Sequence, residues 1–320
     1  MANLLEERNY YKPFNYPWAF EAYKMQQQMH WMPEEVSLAD DLKDFREKLT
    51  EPNKKLLSQI FRFFTQADVD VCCGYAQHYL PTFKQPEVRM MLAAFASMEA
   101  VHQEAYALLL DTLEFDESEY QMFSNIQAMS DKHDYLTDFN MDTPFEMAKT
   151  MAVYSGFTEG VQLFSSFAIL LNFPRHNLMK GMGQIVTWSI RDETLHVEGM
   201  TNLFREFIRE NPNLWDDKLK YEIYCAAERV VELEDKFIDI CFDKADIPDL
   251  TADDVKQYIR YIADRRLLGL GLKGIFHSTE NPLGWLDYML NGVEHTNFFE
   301  NRSTEYARGS THGNWKDIFK

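Results

Sequence analysis

Apolar side chains recur along this chain at intervals of three and four residues, over stretches far longer than a strand. Prolines mark where those stretches begin and stop. The pattern predicts helices over residues 53–80 (ending at Pro81), 86–113, 144–172 (stopped by Pro174), 178–210 (ending near Asn211-Pro212), 214–242 and 252–268. A shorter helix is expected after Asp116. Residues 1–50 read as an irregular arm, with a short helix after the turn at Met32-Pro33-Glu34-Glu35, and from Phe299 the chain looks like a loose tail. No linker or low-complexity block interrupts the helical pattern. The expectation is one all-α domain over residues 1–298, with a flexible C-terminal tail over 299–320.

Composition sharpens this picture in three places. Only 13 Gly and 11 Pro in 320 residues favour long helices over a turn-rich β fold. A net charge of −19 gives the chain little attraction for nucleic acid or an anionic membrane, so neither is an expected partner. The most apolar stretch, near residues 151–173, still carries Ser155, Glu159, Gln162, Ser165 and Ser166, which suits a buried core helix and not a membrane span. Cys72, Cys73, Cys225 and Cys241 have no metal-site spacing and read as buried free thiols. With no basic, then apolar, stretch at the N-terminus, a cytoplasmic location is expected.

The chemistry lies in a pattern that occurs twice, Glu99-Ala100-Val101-His102 and Glu193-Thr194-Leu195-His196. Residues three apart on a helix share a face, so each motif aims a carboxylate and an imidazole at one place. Glu159 is the only acid between Glu146 and Asp192, on an otherwise apolar or neutral helix. An ionised carboxylate there costs several kcal/mol unless it is paired or holds a cation. Regular helical spacing surrounds it with Ala152, Ser155, Gly156, Leu163 and Ser166. Asp68 and Asp70 compete for a fourth position. Asp68 has Phe61, Phe64, Val71 and Tyr75 on its stripe, more apolar than the surroundings of Asp70, and is the better candidate. The lone acids precede the two motifs by 31 and 34 residues, the logic of a duplicated helical hairpin. Asp68, Glu99, His102, Glu159, Glu193 and His196 make four carboxylates and two imidazoles, a ligand set for two first-row ions, iron or manganese, inside a four-helix core. Tyr106 stands four residues beyond His102 on the same stripe, an oxidisable phenol beside that set. Asp192 points elsewhere and suits a partner to a histidine ligand.

These motifs, together with His30-Trp31-Met32-Pro33-Glu34-Glu35-Val36, Glu159-Gly160-Val161-Gln162-Leu163-Phe164 and Arg191-Asp192, resemble the small, radical-generating subunit of class I ribonucleotide reductase over most of the chain. The resemblance implies a ferritin-like helix bundle, a dinuclear centre (most simply two irons, with manganese also accommodated) and dioxygen for its activation. It assigns the six residues above as ligands and Tyr106 as the radical site. It makes Trp31, Asp192 and His102 a relay to the surface. It further implies a homodimer, and a C-terminal tail that docks on the large catalytic subunit, with Tyr306 as its redox tyrosine and Trp315, Ile318 and Phe319 as apolar anchors. A stand-alone dimetal oxidase of the same fold is the nearest alternative. An iron-storage protein is another, but the long region after His196 argues against it.

Overall fold

In the computed structural model, residues 3–116, 127–136, 139–243, 245 and 247–290 are described. The chain divides into two compact units, Met1–Pro282 and Leu283–Lys320. Among its described residues the first carries ten principal helices: α1 Pro17–Gln28, α2 Ala39–Glu47, α3 Glu51–Gly74, α4 Pro86–Thr112, α5 Gln127–Leu136, α6 Pro144–Val153, α7 Phe164–Arg175, α8 Lys180–Glu210, α9 Asp217–Phe242 and α10 Ala252–Gly269. There is no strand among the described residues, and none of their helices is long and apolar enough to cross a membrane. Of the second unit, only residues 283–290 are described, and they are helical over 284–290. Tyr306, Trp315, Ile318, Phe319 and the whole expected tail lie outside the described residues.

The long helices begin where local chemistry can satisfy their free N–H groups. Thr50 caps α3 by accepting from Asn53 N (3.4 Å), Asp216 caps α9 through Leu219 N (2.8 Å), and Thr251 and Asp254 form a capping box on α10. Helix α8 has no such residue of its own, because Met179 enters it at φ 51°. Two buried acids of α2 supply the cap. Asp44 accepts from Met179 N (3.0 Å), and Asp41 accepts from Gly181 N (2.9 Å) and Met182 N (2.8 Å). Negative charge is favoured at this end of the helix dipole, so α2 both starts α8 and fixes its direction. Helices α3, α4 and α8 and the α6–α7 segment surround a common core; α1 lies against α4 and α8, while α9 and α10 pack outside α6 and α7.

The structure departs from the expected elements in four places. The arm contains a helix, α1, that its weak periodicity had hidden; α2 is the short helix expected after residues 32–35. The predicted 53–80 helix passes into a π-helical turn over Tyr75–Tyr79 and closes with one turn at Leu80–Thr82. The predicted 144–172 helix is two helices, joined by a π turn at Tyr154–Thr158 and irregular turns over 159–163; Pro174 lies inside the last turn of α7 and does not stop it. Finally, among the cysteines only Cys241 is buried, and Cys73 is exposed.

Candidate metal centre

Six side chains from four segments meet in the bundle core, and none is more than 1% exposed. Asp68 comes from α3, Glu99 and His102 from α4, Glu159 from the irregular turns after the π turn, and Glu193 and His196 from α8. Two overlapping groups form. In Asp68, Glu99, His102 and Glu193, one ligand atom from each residue lies within 4.8 Å of the others, and the same holds for Glu99, Glu159, Glu193 and His196. Glu99 and Glu193 belong to both groups, the position of bridging carboxylates. Asp70 turns away and pairs with His133, with Gln66 on its other oxygen. Of the two acids, the one on the more apolar stripe is the one that lies in the cluster.

The donor atoms fit a pair of cations. Asp68 Oδ2, both oxygens of Glu99, Glu159 Oε1, Glu193 Oε2 and His196 Nδ1 are buried without a hydrogen-bond partner. His196 Nδ1 lies 2.8 Å from Glu99 Oε1, yet no hydrogen-bonding geometry joins them. Unpaired buried acceptors are costly, so six converging on one place call for positive charge there.

A second layer of side chains fixes both imidazoles. Asp192 Oδ2 accepts from Trp31 Nε1 (2.7 Å) and faces His102 Nε2 (3.2 Å); Asp192 Oδ1 accepts from Gln26 Nε2 (3.0 Å). Gln26 Oε1 then faces His196 Nε2 (3.2 Å). Burial pushes against ionisation of Asp192, but His102 and the other donors hold its carboxyl below the ordinary range. As a carboxylate it only accepts, so Nε2 of His102 is the donor. The amide of Gln26 satisfies both neighbours in one orientation only, which makes Nε2 of His196 a donor too. Each ring is thereby left with Nδ1 toward the carboxylates, the arrangement metal-binding histidines need.

Charge in the cluster is shared unevenly. Burial, reinforced by Glu99, raises the carboxyls of Asp68 and Glu193; burial with Glu193 and Glu99 raises Glu159. Burial also disfavours the ionised form of Glu99, but His102 and His196 outweigh it and bring its pKa down to about 2. His102 shifts upward despite its burial, because Asp192, Glu193 and Glu99 surround it. Without cations, the cluster holds protons in their place.

Tyr106 is buried beside this centre. Its hydroxyl donates to Ser189 Oγ (3.1 Å), whose own hydroxyl donates to Ile185 O (3.1 Å), and its ring stacks on Phe64 (4.7 Å), which stacks on Phe167 (5.0 Å). Desolvation raises the phenol's pKa, and Asp68 adds to the effect. Trp31 is 2% exposed, stacked on His102 (6.0 Å) and against the half-buried Trp188 (5.2 Å).

Sequence reasoning had missed Gln26, Tyr75 and Ser189 as parts of the site. Gln26 gave no signal, because it lies in the arm that had read as irregular. Tyr75, whose hydroxyl donates to Glu159 Oε2 (3.0 Å), does stand on the stripe of Asp68, and Ser189 lies four residues before Glu193 on α8. The π turn at Tyr154–Thr158 also breaks the regular spacing on which the neighbours of Glu159 were expected. An i→i+5 turn adds a residue, so offsets counted at 3.6 per turn no longer mark one face.

Comparison with known proteins agrees with this geometry. The family model for the ribonucleotide reductase small chain matches residues 8–282. The probable ribonucleoside-diphosphate reductase small subunit of Invertebrate iridescent virus 6 is 44% identical, with 99% of each chain covered. The ribonucleoside-diphosphate reductase subunit beta of Chlamydia pneumoniae is 32% identical over 92% of this chain and 88% of its own. Among solved structures, the ribonucleotide reductase R2 subunit from Clostridium botulinum shares the fold with a TM-score of 0.80 at 22% identity, covering 86% of this chain and 89% of that one. With the matched segment spanning all six clustered residues, the chain belongs to the ribonucleotide reductase small-chain family, the small subunits of ribonucleoside-diphosphate reductases, and hence to a family of oxidoreductases.

Proposed function

We propose that this subunit generates and stores a tyrosyl radical at Tyr106 and passes its oxidising equivalent to a large catalytic subunit that reduces ribonucleotides. The observation that carries this reading is the set of unpaired buried donor atoms on Asp68, Glu99, Glu159, Glu193 and His196, next to a buried phenol. These five residues and His102 would hold two ions, most simply iron. When bound, the ion pair supplies oxidising power drawn from dioxygen.

The rest is the work of the chain's own groups. A phenol is protonated at neutral pH and burial reinforces this in Tyr106, so forming a neutral radical there would require the hydroxyl proton to leave with the electron, both passing toward the oxidised centre. Phe64, itself backed by Phe167, covers the ring and helps keep water and reductants from it. Trp31, Asp192 and His102 form a hydrogen-bonded, stacked line leading outward from the centre, suited to relay an electron and a proton. Beyond the described residues, Tyr306 would continue that relay in a tail, 299–320, docked on the large subunit. The remaining chain, 1–298, would act as one ferritin-like domain with its N-terminal arm, working as a homodimer in the cytoplasm.

Electron paramagnetic resonance tests the central step. Protein loaded with ferrous iron and exposed to oxygen is expected to give a tyrosyl signal that Tyr106→Phe abolishes. An iron-loaded parent with no organic radical removes this role from Tyr106.

A further inference from the structure

The carboxylate of Glu159 has little of its own to hold it. Oε1 has no hydrogen-bond partner, while Oε2 accepts from the hydroxyl of Tyr75 (3.0 Å) with the Tyr154 hydroxyl beside it, so the backbone that carries the carboxylate does much to set its place. That backbone is irregular. Val161 N and Gln162 N both donate to Phe157 O (3.1 Å each), and Phe164 N donates back to Val161 O (3.0 Å). Carbonyls displaced from a helical ladder need other donors. Here they come from cations on two other helices. Arg266 of α10 donates through Nε to Gly160 O (3.0 Å), and Lys132 of α5 donates to Gln162 O (2.9 Å).

Arg266 is built into this place. Its guanidinium lies over the ring of Phe164 (5.3 Å), and a Cβ at residue 160 would sit 2.3 Å from Gly156 O and 2.8 Å from Arg266 Nε, so glycine here admits both the irregular turn and the close approach of the arginine. We infer that Arg266 is a positioning residue for the metal centre, holding the Gly160 carbonyl so that the adjoining Glu159 reaches the second ion. The inference rests on Glu159 being a ligand, as proposed above.

Manganese(II) binding to the full chain, by equilibrium dialysis and calorimetry, tests it. The parent is expected to bind two ions. Arg266→Met, which keeps the apolar stem over Phe164, should weaken one ion about 10–100-fold and leave the other unchanged, the size seen when supports of metal ligands are removed. Glu159→Gln should weaken the same ion, and Arg266→Lys, which keeps a charged donor, should recover part of the loss. If Arg266→Met does not fold, as read by circular dichroism, Arg266→Gln is expected to show the same one-ion loss. Unchanged binding of both ions, or equal weakening of both, in a folded Arg266 variant overturns the inference. A parent that binds no manganese instead overturns the metal reading itself.

Discussion

Asp192 shows how much of this site is decided one residue away from the clustered side chains. It is bonded to Trp31 and Gln26 and faces His102, and through Gln26 it governs His196 as well. Asp192→Asn replaces an obligatory acceptor with an amide that can turn either way, so the His102 tautomer is no longer imposed. Affinity for manganese(II) is expected to fall about 10–100-fold with the far-ultraviolet circular dichroism unchanged. Gln26→Leu should also weaken binding, through His196. Parent-like affinity in both variants would show that the rings are held without these bonds. Four of the six clustered residues were legible in the sequence because each Glu-x-x-His motif is local, with spacing three on a helix. Gln26 was not, since its partners lie 166 and 170 residues away.

At the level of elements, the centre depends on how closely helices approach. Gly199 of α8 faces Phe95 of α4, and a Cβ there would come within 2.8 Å of the ring; that ring packs on His196 with centroids 4.3 Å apart. Gly199→Ala should therefore destabilise the fold by about 1–3 kcal/mol, as overpacking generally does. Urea denaturation measures this, and an unchanged midpoint would mean the helices part at no cost. A period of 3.6 identified α4 and α8 nearly to their ends and the start of α3, because each buries one continuous stripe. It could not show the π turns at Tyr75–Tyr79 and Tyr154–Thr158. These are set by which carbonyl each N–H reaches, and the same apolar residues allow either choice. Tyr75 and Tyr154, which open the two turns, meet edge to face at 5.5 Å.

Across the whole molecule, the buried charges link metal, protons and stability. The carboxyls of Asp68, Glu159 and Glu193 are raised, as is His102, so the metal-free fold keeps protons that the unfolded chain gives up. For groups raised in the fold, the stabilisation is complete at low pH. It is lost as pH climbs above the ordinary carboxylate range, about 4, and through the raised values. Bound cations take the place of those protons, so metal affinity should increase with pH. The gap in melting temperature between manganese-loaded and metal-free protein is expected to widen from about pH 5 to pH 8. Scanning calorimetry reads it directly, and a gap that narrowed with pH would contradict this account of the cluster.

The helical class, the extent of most long helices and the six residues that cluster could be read from the chain, because burial stripes and the Glu-x-x-His spacing are both written in short-range periodicity. Its choice of Asp68 over Asp70 followed from the same physics, since the more apolar stripe faces the core. Which carboxylates the two groups share, which ring nitrogen faces them, and how the backbone is bent to present Glu159 emerged only in the folded molecule. Those depend on contacts between segments far apart in the chain, where a one-residue shift in helical register changes the neighbour and leaves the hydrophobic pattern intact.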